Sequence, residues 1–540
     1  MCMCSSYSEY FLVLVLSLTL YYLFNMNIAE DKTMAKNGLL FVSNAAKTHS
    51  ACQKASKYVQ KKLYINLRKN TQFTLPTVSQ EIEKLYTKAT SECLNLDVRL
   101  IVKPSEAVNT IKTNTPIDIL MYDSALTNEV RDLEKSVVNL NTDYKLQSIE
   151  FADVKQADIN PKDEPVKTYE YVALGGTFDR LHNGHKILLS QAVLRSTKHV
   201  TVGITDVNMI QSKKLWELIE PVEQRIKAVL DFLTDINPDL EYNVFPLQDL
   251  YGPTKDDPKF QMIVVSEETF RGAVKINEKR KENGLNPMDT YVITMAEDSH
   301  PQRSHEEEQK VSSSNQRMRL LGTILRPPVP NPNIPDWPYV IGLAGGIASG
   351  KSSIAEKLKK KGAGLVNCDI IAHELYKPGL PLNSTLVEAF GKHIINDKGE
   401  VDRKILGQIV FSDKDQLEKL NSIMWPAVLA EAQRQTHALG AAGHRVVVME
   451  AAVMVRAKWY RSCHQLWSVI IPPEEAVKRL QKRNNLTEEE ARQRIAAQPS
   501  NAEQIAAANI VFSPYWSYEY TQAQVDRAWD QLQEYLKSRG

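Results

Sequence analysis

The sequence predicts an α/β protein with two doubly wound parallel-sheet domains, preceded by a smaller α/β N-terminal region. Three observations carry that expectation. Apolar runs of strand length alternate with helical stretches from Tyr169 onward, and again from Tyr339 onward. Each series opens on a glycine-rich turn, "GGTFDRLHNGHK" at 175–186 and "GGIASGKS" at 345–352. Between them lies "RPPVPNPNIPDWP" at 326–338, too dense in proline for a helix or a central strand.

The bulk numbers fit this plan. A chain of 540 residues is too long for one core. It is 43% hydrophobic and 24% charged, the profile of a globular protein. A net charge of +1 excludes a general attraction to nucleic acid, so any phosphate binding must be local. The six cysteines (Cys2, Cys4, Cys52, Cys93, Cys368 and Cys463) form no CxxC pair and read as reduced intracellular thiols.

Residues 1–80 read as an N-terminal extension. The apolar run Phe11–Phe24 is shorter than the about 20 residues of a spanning helix. No Lys or Arg precedes it, which is unlike a secretory signal. A membrane-associating segment and a plain extension are both open. Between Asp31 and Glu81 there is no acidic residue, while Lys36, Lys47, Lys54, Lys57, Lys61, Lys62, Arg68 and Lys69 are basic. That pattern fits either a mitochondrial presequence or a solvated basic tail. The expected location is therefore the cytoplasm, the mitochondrion (matrix or outer-membrane associated), or both.

Residues 81–165 read as an α/β region with strands near 96–102 and 117–122, and carry no chemical motif. The polar "QADINPKDEPVK" at 156–167 reads as a linker. The next domain, 168–325, has strands at 169–174, 199–205 and 261–266 and helices at 184–196 and 221–236. The last, 338–540, has strands at 339–344, 364–369 and 444–451. Its helices fall at 350–361 and, amphipathic, at 521–538.

"GGIASGKS" fits GxxxxGK[ST] after a strand and before a helix, the context of a phosphate-binding loop. Gly345, Gly346, Ile347, Ala348, Ser349 and Gly350 would turn their N–H groups inward as an anion nest. Lys351 supplies a point charge for β/γ-phosphates, Ser352 a hydroxyl for Mg²⁺, and Ser353 continues the helix. Asp369 ends the following strand, where a carboxylate can take a proton from a substrate hydroxyl. Arg479, Arg483, Arg492 and Arg494 cluster with Gln498 on a helix pair suited to closing over phosphates.

The stretch 339–535 resembles dephospho-coenzyme A kinase through this loop, "CDIIAHELY", "VDRKILGQIVFSD", "LNSIMWP" and "RIAAQ". The resemblance implies Asp369 as base for a ribose 3′-hydroxyl, with Arg494 as the lid arginine and Arg483 as the phosphate contact before it. The chain departs from the family at Trp425, at Asn484, in "NIVFSPYWS", and in "MEAAVMVRA", which carries Glu450 and Arg456.

In "GGTFDRLHNGHK", His182 and His185 are three apart rather than the four usual for zinc ligands on a helix, and no other His or Cys cluster adjoins them. They stand where a helix begins, and a helix N-terminus attracts phosphate. The stretch resembles the HxGH nucleotidyltransferases, and over 169–325 the phosphopantetheine adenylyltransferases of the archaeal and eukaryotic type. That resemblance implies that His182 and His185 stabilise an α-phosphate while pyrophosphate leaves. It implies that Gly175, Gly176, Thr177, Phe178 and Gly184 line the nucleotide turn, and that Lys213 meets a substrate phosphate. Arg271 follows the strand ending at Ser266. "KVSSSNQR" matches the superfamily's second motif, with Ser312, Ser313 and Ser314 near phosphate and Arg317 aimed at β/γ-phosphates.

The two halves in this order resemble the bifunctional coenzyme A synthases. The implied substrates are 4′-phosphopantetheine, dephospho-coenzyme A and ATP, with Mg²⁺. Two other readings are open. One is a nicotinamide mononucleotide adenylyltransferase fused to a ribosylnicotinamide kinase. The other is an ATP-binding scaffold without chemistry.

Overall fold

The computed structural model describes residues 34–68, 75–102, 110–151, 167–301 and 303–539. The run Phe11–Phe24 and most of the polar stretch at 156–167 lie outside the described residues. Among those described, no helix is long and apolar enough to cross a membrane.

The chain builds three five-stranded sheets, and every ladder within them is parallel. The first contains β1 (Ala35–Val42), β2 (Val59–Leu67), β3 (Asp97–Ile101), β4 (Ile117–Asp123) and β5 (Leu140–Ile149). Its order is β3-β2-β1-β4-β5. The second contains β6 (Tyr169–Gly176), β7 (Ser196–Thr205), β8 (Glu241–Leu247), β9 (Met262–Ser266) and β10 (Asp289–Ile293), ordered β10-β9-β6-β7-β8. Numbered from its own first strand, each of these two sheets reads 3-2-1-4-5. The third contains β11 (Tyr339–Gly345), β12 (Gly364–Asn367), β13 (Val446–Glu450), β14 (Gln465–Val469) and β15 (Ile510–Phe512), ordered β12-β13-β11-β14-β15. The first two sheets share one compact unit; the third, with its helices, belongs to another.

β11 illustrates why these strands form where they do. All seven residues of "YVIGLAG" are buried, as a central parallel strand requires. Alternate side chains serve opposite faces. Ile341 and Leu343 pack with Ile354, Leu358, Trp467 and Phe512, whereas Val340 and Ala344 pack with Val447, Met449 and Leu466. The helix Asn183–Arg195 is a contrasting case. Every residue from Lys186 to Arg195 is buried, so it shows no polar stripe.

The expected boundary near residue 80 is corrected by the first sheet. Residues 35–67, read as part of an extension, form β1, the helix Thr48–Ala55 and β2, and β1 lies at the sheet's centre. The basic stretch is not a solvated tail here. Lys47 is buried, and its amine pairs with the buried Asp123 carboxylate at 2.8 Å. Its acidic partner comes from a residue far along the chain, so a local charge pattern missed it. The N-terminal region also matches the second sheet in strand number.

Gly38 in β1 has no room for a side chain: a Cβ there would fall 2.5 Å from Val59 Cγ2 and 2.8 Å from Met121 Cε. Gly38→Ala is expected to destabilise this unit by about 1–3 kcal/mol through overpacking. Thermal unfolding of the purified variant measures it.

Candidate functional site

Two turns of the same kind carry the candidate sites, each where the first strand of a parallel sheet hands over to a helix. Ligands gather at that carboxyl edge in open α/β sheets.

At the end of β6 the chain passes through Phe178 and Arg180 with φ of 49° and 50° before entering the helix Asn183–Arg195. His182 is the N-cap, in an extended conformation, and its Nδ1 accepts the His185 N–H at 3.4 Å. With Nδ1 an acceptor, the ring proton belongs on Nε2, which faces the Ser313 hydroxyl at 3.4 Å. Ser313 in turn donates to the Asp179 carbonyl at 2.9 Å. The two imidazoles are stacked, centroids 3.7 Å apart and 17° from parallel. Gly184 keeps that stack in place, since a Cβ there would lie 3.2 Å from the His182 ring. Phe178, fully buried, packs against His185 with its ring tilted, 5.1 Å between centroids. It also leaves Gly176 no space for a side chain, with a Cβ only 2.9 Å from Phe178 Cε2.

Burial, then the Lys186 charge, pulls the His182 imidazole down to about 3. Burial, then His182 and Lys213, holds His185 well below the usual histidine range. Both are therefore neutral at physiological pH. His185 Nδ1 is buried with no partner among the described residues. No group of three or more His, Cys, Asp or Glu that could hold a metal occurs among them either.

The structure sorts the other predicted residues of this site. Thr177 hydroxyl meets Thr205 Oγ1 at 3.0 Å, at the ends of neighbouring strands. Gly175 is the next-to-last residue of β6, where a Cβ would still be 3.7 Å from the Gly203 carbonyl. Lys213 is exposed near the site, its amine pulled down by desolvation and by Arg317. Ser312 caps the helix Ser313–Leu320 by accepting the Asn315 N–H at 3.2 Å, and Ser314 Oγ accepts from Arg317 at 3.4 Å. Arg271 is exposed on the first turn of the helix Phe270–Glu282, which follows β9, the strand beside β6.

Arg317, expected to aim at β/γ-phosphates, is held by a carboxylate of the same turn. Only 1% exposed, it gives Nη1 to Asp179 Oδ2 at 2.6 Å and Nε to the Lys214 carbonyl at 2.9 Å. A buried arginine needs a carboxylate, and "GGTFD" supplies one, so this guanidinium braces the turn. Arg225, also buried, does similar work. Its Nη1 donates to the Thr177 and Thr205 carbonyls at 2.8 and 2.9 Å.

The second turn follows β11. Ala348 and Gly350 take φ of 60° and 90°, and Gly350 precedes the helix Lys351–Lys360. A Cβ on Gly345 would meet Ser349 Oγ at 2.6 Å, and one on Gly350 would meet Pro514 Cγ at 2.8 Å. Gln498 Oε1 accepts the Ile347 N–H at 2.7 Å, while Gly346 lies 3.5 Å from the same oxygen by a built Cβ. Ser349 Oγ is buried without a partner among the described residues. A cleft of about 490 Å³ opens on the turn, lined by residues 345–353 with Asp369, Ala452, Arg479, Arg483 and Gln498. That volume falls within the range of small-molecule pockets.

Glu450 organises this cleft, and sequence reasoning noted it only as a departure. It ends β13, the strand beside β11, and is 1% exposed. One oxygen takes Lys351 Nζ at 3.0 Å and the Ser352 hydroxyl at 2.6 Å; the other takes Asn367 Nδ2 at 3.2 Å. A lone acid closing the apolar run "RVVVME" was the available signal. Asp369, on the first turn of the helix Cys368–Leu375, reaches Lys351 Nζ at 3.7 Å and is half exposed. Of the arginines, Arg479 binds the Ala348 and Pro514 carbonyls at 3.4 and 2.9 Å, and Arg483 lines the cleft. Arg494 does not line it: it is exposed in the last turn of the helix Glu488–Ala496. The i,i+4 periodicity of these helices could not tell which arginines face inward.

Comparison with known proteins agrees with this division. The family described as dephospho-CoA kinase matches residues 339–514, and the one described as cytidylyltransferase-like matches residues 173–321. A dephospho-CoA kinase of Carboxydothermus hydrogenoformans is 37% identical over 186 residues, which is 34% of this chain and 90% of that protein. One of Symbiobacterium thermophilum is 37% identical over 190 residues, 35% of this chain and 80% of that protein. A phosphopantetheine adenylyltransferase of Saccharomyces cerevisiae is 41% identical over 135 residues, 25% of this chain and 44% of that protein.

The histidine pair makes a direct spectroscopic expectation. Long-range ¹H–¹⁵N spectra should show neither His182 nor His185 titrating between pH 5 and 8, with His182 protonated on Nε2. Because His182 is depressed toward about 3 while the unfolded chain takes up protons near pH 6.5, its contribution to stability declines as pH falls below about 6.5.

Proposed function

We propose, for a chain that belongs to the dephospho-CoA kinase family through its C-terminal domain, two consecutive transfers from ATP. The enzyme joins the adenylyl group of ATP to 4′-phosphopantetheine, giving dephospho-coenzyme A and pyrophosphate. It then phosphorylates the ribose 3′-hydroxyl of dephospho-coenzyme A, giving coenzyme A and ADP. One observation carries this reading. A single chain matches a dephospho-CoA kinase and, separately, a phosphopantetheine adenylyltransferase, and the product of the second activity is the substrate of the first. The matched names belong to this pair and not to the nicotinamide pair. The intact cradle of Lys351, Ser352 and Asp369 argues against a scaffold without chemistry.

In the first transfer a phosphate oxygen of phosphopantetheine attacks the α-phosphorus, and the bond to the bridging oxygen of pyrophosphate breaks. No enzyme nucleophile is required. The residues' work is alignment and stabilisation of charge, where well-placed reactants alone are worth roughly 7–11 kcal/mol. Neutral His182 and His185, at the positive end of their helix, face the anion as hydrogen-bonding groups and not as acids. Thr177 and Lys213 serve the attacking phosphate. Arg271 lies toward the departing pyrophosphate, and Ser312, Ser313 and Ser314 border the nucleotide.

In the second transfer the turn at 345–350 cradles the β-phosphate with backbone N–H groups, and Lys351 neutralises β/γ charge. Asp369 takes the proton from the 3′-hydroxyl as its oxygen attacks the γ-phosphorus. Arg479 and Arg483 border the nucleotide side of the cleft. Ser352 and Glu450 present hard oxygen ligands within 2.6 Å of one another, a donor set that suits Mg²⁺. Held by these two side chains, Mg²⁺ would supply neutralisation of phosphate charge. Before nucleotide arrives, Lys351 holds Glu450 compensated in the buried site.

Incubating the purified protein with phosphopantetheine, ATP and Mg²⁺ and identifying products by mass spectrometry tests the reading: dephospho-coenzyme A, then coenzyme A, are expected. In the same assay Lys351→Ala should stop at dephospho-coenzyme A. His185→Ala should slow its formation at least about 10²-fold, the effect of losing a transition-state contact. Asp369→Asn should slow the second step by about 10²–10⁴-fold, the usual contribution of a positioned base. Glu450→Gln should shift the Mg²⁺ dependence of that step to higher concentration.

A further inference from the structure

We propose that residues 34–151 are a structural half of the adenylyl-transfer site, in which Asp97, Arg99 and Thr90 are positioning residues for the histidine helix. The proposal rests on the adenylyl-transfer reading of the second sheet.

The first sheet repeats the strand order of the second, so the loop after β1 is the counterpart of the histidine-bearing loop after β6. That counterpart is closed to an anion. Asp123, ending β4 and 1% exposed, takes the Ser43 N–H at 3.3 Å, the Ser43 hydroxyl and the Lys47 amine. A protein carboxylate sits where a phosphate would have to bind. The region is therefore not a further nucleotide site, and its use must lie elsewhere on its surface.

That use is visible at β3, the edge strand of the first sheet. Lys186, the residue after His185, is buried. Its amine goes to Asp97 Oδ1 at 2.7 Å and to the Val98 carbonyl at 3.1 Å. Asp97 Oδ2 takes Arg99 Nη2 at 2.8 Å, and Arg99 Nη1 continues to Asp235, fully buried on the helix Val222–Ile236. That helix also carries Arg225, which braces the Thr177 turn. Two cations and two carboxylates thus alternate through the interior with no net charge. They tie both helices that frame the adenylyl site to a strand from outside its own sheet. Burial opposes the ionised Asp97, yet Lys186 and Arg99 hold its carboxyl well below the usual range.

Further bonds repeat the tie. Asn183, the first residue of the histidine helix, donates from Nδ2 to Thr90 Oγ1 at 3.1 Å. Farther along, Gln191 and Ser79 exchange two hydrogen bonds at 2.9 Å. The Val102 N–H donates to the Ile236 carbonyl at 2.8 Å, joining the end of β3 to the other helix. The histidine helix is buried along its length because the helix Leu75–Glu92 covers it.

The test uses the full chain, with the kinase step on supplied dephospho-coenzyme A as an internal control. Asp97→Asn should lower kcat of adenylyl transfer at least about tenfold, because small misplacements of reacting groups are costly in rate. KM for ATP should stay within about twofold, and Asp97→Glu should restore most of the rate. Thr90→Val removes the bond from Asn183 together with the hydroxyl's own bond to the Tyr86 carbonyl, and buries no charge, so it keeps the test decisive if Asp97→Asn fails to fold. It should lower the same kcat by about three- to tenfold, the value of one hydrogen bond. Kinase rates should not change in any variant. Folded Thr90→Val protein with the adenylyl kcat of the parent overturns the proposal, as does folded Asp97→Asn protein with that kcat. Parent protein that makes coenzyme A from dephospho-coenzyme A but never makes dephospho-coenzyme A fails the adenylyl reading itself, and with it this one.

Discussion

A helix that starts at the end of a parallel strand leaves its first N–H groups without partners, and those groups must be met by something. Both sites in this chain are answers to that requirement. In one, the nest formed by residues 345–350 opens on a cleft of about 490 Å³. In the other, His182 caps one N–H with its own Nδ1, and the cap fixes the tautomer. The first sheet gives a third answer at the equivalent turn, where Asp123 supplies the anion from within. One local geometry therefore yields an open cradle at one turn, a histidine cap at another and a carboxylate-sealed turn at the third, and the difference is which side chain arrives at the edge.

Charge balance decides how each cradle behaves. The kinase cleft keeps a buried carboxylate, Glu450, within reach of Lys351, Ser352 and Asn367. An uncompensated carboxylate at that depth would be costly, and removing one partner leaves the other exposed to the same penalty. The adenylyl site is balanced differently. Its histidines are kept neutral by burial and neighbouring cations, and Arg317 is spent on Asp179, where it stiffens the turn. Rigidity of this kind suits a reaction in which the protein aligns two phosphates and forms no covalent intermediate.

Much of this was legible in the residues. The alternation of strand and helix, the loop at 345–352, the histidine turn at 175–186 and the proline-rich boundary all depend on local rules of period, glycine and proline. Central strands such as β6 and β11 are continuous apolar runs because both faces are covered, and they stood out. Of the edge strands, β3 and β12 were read but others were not. β5, "LNTDYKLQSI", is exposed or half-buried at all but its last residue, and its polarity hid it. The strands β1 and β2 were obscured because they carry Lys36, Lys61 and Lys62 within an acid-free stretch that reads as an extension.

The sequence by itself settled which turns can hold phosphate, since backbone conformation and helix entry are set by neighbours a few residues away. Tertiary structure alone decided which charges face each other. It paired Arg317 with Asp179 and Glu450 with Lys351, turned Arg479 rather than Arg494 toward the cleft, and set Lys186 against Asp97. Those pairings join residues from about 90 to about 140 positions apart, and a buried ion takes whichever opposite charge the fold brings within reach.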